Sequence, residues 1–193
     1  MNRSYSLAVI MMAAGDSRRF SDNKLMTPIE GIPMYQHTLN WVAALSPEAA
    51  VVVSQYEPVL ASGRTLGMTT VINQESRLGV SHTIGLGLAA CPSCDAYLFT
   101  VCDQPWLSLA TVLALLDAWE ASSKGMASLQ CERRPGNPCV FSSRYVPELL
   151  ALTGDTGGRA VIKKHPEDVL YYDIPDPREL LDIDTKEDLR RLR

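Results

Sequence analysis

Continuous apolar runs, rather than alternating ones, set the frame of this chain. Leu7-Ala8-Val9-Ile10-Met11-Met12 opens the series, and Ala49 to Val53 and Ala96 to Val101 follow, while Met68 to Ile72 and Gly125 to Gln130, broken by polar residues, read as further strands. Short runs of this kind, bounded by turn residues, predict strands buried on both faces of a mostly parallel sheet. Between them apolar residues recur at helical spacing. Tyr35, Leu39, Val42 and Leu45 predict a helix over 34–45, opened by Pro33 as its first residue and stopped by Ser46-Pro47. A helix is expected over 57–66. Ser81, Ile84, Gly85 and Leu88 share one face of another, and Val112, Leu115, Leu116 and Trp119 mark a further one capped by Ser108. Strands alternating with helices predict an α/β fold.

The chain is organised around Leu7 to Leu25. The first apolar run breaks into Ala13-Ala14-Gly15-Asp16-Ser17, and Arg18, Arg19 and Lys24 follow. Small residues let the backbone approach a ligand, and Gly15 is free to adopt a positive φ. A strand, a turn that exposes backbone N–H groups and then fixed cations is a polyphosphate site in outline.

Later segments add candidate chemistry. The run Ala96 to Val101 leads straight into Cys102-Asp103-Gln104-Pro105, which puts a carboxylate at the carboxyl end of a central strand, where open α/β sheets bind ligands. Ser81 opens its helix, where capping and contact with a base or ribose account for it equally well. Gly136-Asn137-Pro138 reads as a loop entering an edge strand. Gly154-Asp155-Thr156-Gly157-Gly158-Arg159 precedes a short helix and is a second candidate anion site, the plain alternative being a capped helix with a surface arginine. Near the C-terminus Asp182 and Asp184 alternate on what reads as a strand end, where one of them can face a pocket, and Thr185 with Asp188 has the spacing of a capping box.

Composition narrows the picture. With 193 residues and a net charge of -4, one domain is expected and a globally basic surface for nucleic acid is not. No apolar run reaches the roughly 18 residues that a membrane span needs, and no signal peptide is expected. The five cysteines, an odd number, suggest reduced thiols and a cytoplasmic location. Cys91-Pro92-Ser93-Cys94 has no second CxxC or histidine pair beside it and reads as a plain loop rather than a zinc site.

Taken together, Ala13-Ala14-Gly15-x-Ser17-x-Arg19-x(4)-Lys24, the Ser81 helix, Asp103-Gln104-Pro105, Gly136-Asn137-Pro138, the 154–159 loop and the Asp182-Ile183-Asp184-Thr185 tail resemble the molybdenum cofactor cytidylyltransferase group. That group is related to the guanylyltransferases of the same pathway and to isoprenoid cytidylyltransferases. The resemblance covers nearly the whole chain, although Cys102 stands where the family often has glycine and Lys186 where it usually has proline. It implies a Rossmann-like, mostly parallel sheet sandwiched by helices, of the nucleotide-diphospho-sugar transferase type. A nucleotide half over about 1–105 and an acceptor half over about 106–193 are then expected. The implied reaction is transfer of CMP from CTP to the terminal phosphate of molybdopterin, with release of diphosphate. Arg19 and Lys24 would be catalytic. Ala13, Ala14, Gly15, Ser17, Arg18, Asn73 and Ser81 would bind the nucleotide. Asp103 and Asp184 would hold Mg2+ or Mn2+, and Asn137, Asp155 and Arg159 would bind the acceptor. The resemblance also implies a molybdoenzyme-maturation partner. A GTP-dependent enzyme, another phosphorylated acceptor and a non-catalytic cofactor-binding relative are the alternatives.

Overall fold

The computed structural model describes residues 3–15, 23–184 and 187–188. Strand β1 spans Leu7–Ala13; two two-residue strands follow, β2 at Pro28–Ile29 and β3 at Ile32–Pro33. Helix α1 (Met34–Leu45), strand β4 (Ala49–Ser54), helix α2 (Glu57–Thr65), strand β5 (Thr69–Ile72) and helix α3 (Val80–Ala90) come next. Strand β6 (Ala96–Val101), helix α4 (Leu109–Ala121) and strands β7 (Met126–Cys131) and β8 (Arg134–Ser142) continue the chain. Helices α5 (Val146–Leu150) and α6 (Arg159–Lys164) precede strand β9 (Val169–Asp173).

Seven strands form one sheet in the order β5-β4-β1-β6-β8-β7-β9. It is mostly parallel: β1 pairs in parallel with β4 and β6, β4 with β5, and β7 with β9, whereas β8 runs antiparallel to both its neighbours. The apolar run of β1 is explained by its place. Alternate residues enter opposite cores, Leu7, Val9 and Met11 with α1 and α4, and Ala8 and Ile10 with α3 and the α5–α6 region. Gly87 lets α3 lie close on β1, because a Cβ there would come within 2.5 Å of Ile10 Cγ2. Ser108 caps α4 by accepting from the Thr111 amide, as its sequence position predicts.

Three local expectations are corrected. Pro33 precedes α1 as its N-cap instead of opening it, since its ψ of 141° is still extended. The Gly136-Asn137-Pro138 segment belongs to β8, an interior strand and not an edge strand. The prolines are tolerated because pairing with β6 ends at Cys139, and pairing with β7 shifts register between Ser128 and Gln130. Residues 181–184 are irregular, not a strand end. Ile183 is buried, and its amide donates to the Asp103 carbonyl at 3.1 Å. The Thr185 half of the expected capping box lies outside the described residues; Asp188 accepts from the Asp184 amide.

Candidate functional site

The sheet reverses its strand order at β1, with β4 on one side and β6 on the other. Crevices form at such switch points, beyond the carboxyl ends of the strands. Met12 is in register with Val101, so the turn after β1 and the turn after β6 emerge side by side. Between them lies a cleft of ≈ 480 Å³, within the usual range for small-molecule sites. Ala13, Ala14 and Gly15 line it with Lys24, Cys102, Asp103 and Asp184, and Gly79 and Asp155 contribute from two further loops.

The turn after β1 is braced by residues that the sequence did not single out. Ser54 Oγ donates to the Ala13 carbonyl, Gln55 Nε2 to that of Ala14 and Tyr56 Oη to that of Gly15, each at 2.8 Å. Three consecutive side chains at the carboxyl end of β4 thus hold three consecutive carbonyls. A polar triplet directly after the apolar run of β4 was the available signal. Gly15 does not adopt a positive φ. Its use here is space: a Cβ at this position would meet nothing within 4 Å, so the turn is open toward the cleft. Ser17, Arg18 and Arg19 lie outside the described residues.

Lys24 sits in a short 3-10 turn opened by Asn23, whose side chain accepts from the Leu25 amide. Its ammonium reaches Asp103 Oδ2 and Asp184 Oδ1, both at 2.7 Å, and the side chain is only 13% exposed. Burial works against the charge, but the two carboxylates overcome it and hold the lysine pKa above its ordinary value. Asp103 Oδ1 is buried and makes no hydrogen bond. Asp182 is exposed as a residue, yet desolvation of its carboxyl and the nearby Asp103 charge push its pKa up to about 6.

Gln104 brings Asp184 to this place. Its amide donates to Asp182 Oδ1 at 2.9 Å and to the Leu180 carbonyl at 3.2 Å, and the residue is 2% exposed. The Asp103-Gln104-Pro105 turn therefore supplies a carboxylate and also the clamp for the tail that carries a second one.

The remaining expected residues take other places. Asn73 is buried, donates to Thr83 Oγ1 and accepts from the Glu75 amide, and does not line the cleft. Ser81 makes no capping bond; Gly79 precedes α3, and the Ser81 hydroxyl donates to the Gly154 carbonyl at 2.8 Å, beside the Ser81 amide at 3.1 Å. The capping expectation fails because the N-cap position falls on Gly79, which leaves Ser81 inside the first turn of α3. Gly79 makes the approach feasible: its φ is +92°, and a Cβ would fall 2.3 Å from the Gly154 backbone. This contact brings Asp155 into the cleft wall. Asn137 is half-buried in β8, and Arg159 is exposed and donates to the Pro135 carbonyl; neither lines the cleft.

Among the described residues, no group of three or more His, Cys, Asp or Glu is placed to hold a metal ion. Asp103 and Asp184 are two hard oxygen donors, and magnesium is commonly held by one or two carboxylates with phosphate oxygens and water completing its shell. The donor pair and the orphaned Asp103 Oδ1 fit such an ion.

Comparison with known proteins agrees with this architecture. The family model of the MobA-like NTP transferase domain matches residues 9–169. The purine catabolism protein PucB of Bacillus subtilis is 28% identical over 99% of this chain and 98% of its own length. The nicotine blue oxidoreductase of Paenarthrobacter nicotinovorans is 27% identical over 95% and 94%. Among solved structures, Rv0371C of Mycobacterium tuberculosis in complex with manganese superposes with a TM-score of 0.75 at 22% identity, covering 97% of both chains.

Proposed function

Since the chain belongs to the family of MobA-like NTP transferase domains, we propose that it transfers CMP from CTP to the terminal phosphate of a molybdopterin-type acceptor, releasing diphosphate. The observation that carries the reading is the cleft at the β1–β6 switch point. There a braced small-residue turn meets Lys24, Asp103 and Asp184. The Ala13-Ala14-Gly15, Asp103-Gln104-Pro105 and Gly136-Asn137-Pro138 combination favours cytidylyl over guanylyl transfer.

The chemistry asks little covalent work of the protein. An acceptor phosphate is already an anion, so attack on the α-phosphorus of the nucleotide requires neither a protein nucleophile nor a strong base. Positioning and charge neutralisation carry the catalysis. The 13–15 turn, held rigid by Ser54, Gln55 and Tyr56, forms the polyphosphate-facing wall. Lys24, with Arg19, stabilises charge on the triphosphate, and Ser17 and Arg18 belong to the same nucleotide-binding stretch. Asp103 and Asp184 would hold the divalent ion. When bound, magnesium or manganese supplies further charge neutralisation at the phosphates. Asp155, in the cleft wall, is assigned to the acceptor. Asn137 and Arg159, the latter donating to the Pro135 carbonyl, are also assigned to the acceptor.

The test is direct. Purified protein is incubated with magnesium, molybdopterin and each nucleoside triphosphate in turn, and diphosphate release is followed together with the mass of the product. CTP is expected to be preferred. A clear GTP preference moves the protein to guanylyl transfer. Diphosphate release only with another phosphorylated acceptor reassigns the acceptor, and nucleotide binding without turnover makes the protein a non-catalytic relative.

A further inference from the structure

The place of Lys24 says more than that it is a cation in a phosphate site. Its ammonium lies between two carboxylates drawn from distant parts of the chain, 2.7 Å from each. A divalent ion using these two carboxylates would need the same space. Asp103 Oδ1 stays buried without a hydrogen bond. An ammonium and a divalent cation cannot share the gap, because like charges at contact distance in a half-buried site repel strongly.

We propose that in the nucleotide-free protein the Lys24 ammonium stands in for the divalent cation between Asp103 and Asp184, so that metal enters only as an incoming polyphosphate draws the lysine away. The inference rests on the reading of Asp103 and Asp184 as cation ligands. The exchange needs little backbone movement. Leu25 is 4% exposed and anchors the turn, while the lysine stem is long and flexible. Lys24 lines the same cleft as the 13–15 turn, so phosphate oxygens bound there compete for its donors. Metal and nucleotide binding then favour each other, since each removes the ion pair that opposes the other. The protein holds an empty nucleotide site closed to free metal without needing a lid.

Manganese binding to the nucleotide-free protein tests this, with free Mn2+ read by electron paramagnetic resonance. Wild type is expected to bind weakly. Lys24→Met is expected to bind at least about tenfold more tightly, within the usual range of coupling between sites. Lys24→Arg keeps the charge and should stay near wild type. Lys24→Met combined with Asp103→Asn should lose the gain. Lys24→Gln serves in parallel should the methionine variant fold poorly. Manganese should also raise the melting temperature of the neutral variants more than that of wild type. If the neutral variants bind manganese no more tightly than wild type, the proposal is overturned. Should wild type then bind tightly in a manner that Asp103→Asn abolishes, the metal reading survives without the stand-in. If Asp103→Asn changes manganese binding in neither background, both fall.

Discussion

Two aspartate clusters in this molecule use similar chemistry and come out differently. Away from the cleft and its 13–15 turn, Asp168 accepts from the Gly125 amide at 3.0 Å, from the Arg144 guanidinium and from the Tyr145 hydroxyl. Its charge is matched by one arginine, and all three donors reach it from neighbouring segments. Gly125 permits this closeness, because a Cβ there would meet the guanidinium at 2.1 Å. In the cleft, Asp103 and Asp184 both contact Lys24, and Asp103 keeps a buried oxygen without a hydrogen bond. Buried polar groups left unmatched are costly, so a satisfied cluster holds structure together while an unsatisfied one is a site waiting for a ligand.

The sharpest way to break this contrast is at the cleft. Lys24→Ala and Asp103→Asn are each expected to lower diphosphate release by about 10²–10³-fold, the usual loss for one transition-state contact. Both should still unfold cooperatively. Wild-type turnover in both would remove the cleft from the chemistry.

The opposite pattern is expected of Asp168→Ala. It leaves an amide and a hydroxyl without their acceptor and should cost about 1–3 kcal/mol of stability, measured by denaturant unfolding. Diphosphate release per folded molecule should not change. A catalytic defect larger than the loss of folded protein would mean that the two clusters are coupled.

A smaller effect is expected at the contact between α3 and the 154–155 loop. Ser81→Ala removes one of two hydrogen bonds to the Gly154 carbonyl and should cost about 1 kcal/mol. Loss of nucleotide affinity with unchanged stability would instead return Ser81 to a base or ribose contact.

The smallest effect lies in acid. Burial alone would raise the Asp168 pKa, but the Tyr145 hydroxyl, the Gly125 amide and the Arg144 guanidinium together hold it below the ordinary carboxylate value. A depressed folded-state pKa means that this stabilisation is complete above the unfolded value near about 3.9 and is lost as pH falls through the folded one. Unfolding free energies measured from pH 7 down to acid should fall less steeply for Asp168→Asn than for wild type. Equal slopes would show that Asp168 is not linked to the acid limb.

Much of the scaffold was legible along the chain, and the reason is local. Strands of a doubly covered sheet need uninterrupted apolar runs, and β1, β4 and β6 show them; α1 and α4 need a 3.6-residue period, and Leu39, Val42, Leu115 and Leu116 show it. The phosphate-type turn and Asp103 were legible because each directly follows such a strand. The interior position of β8 was not, because its prolines read as an edge and only the register with β6 and β7 shows where pairing stops.

By itself, then, the sequence determined the α/β architecture, the turn at 13–15 and the chemical character of Lys24, Asp103 and Asp184. Tertiary structure alone decided what these groups do to one another. The lysine meets one aspartate 79 positions away and another 160 positions away. Gln104 clamps the tail, Ser54 to Tyr56 brace the turn, and Ser81 turns from helix cap to link between α3 and the 154–155 loop. Propensity and period act over a few residues, whereas hydrogen bonds and charge pairs depend on distance in space. That distance is set by strand order and register across the whole sheet.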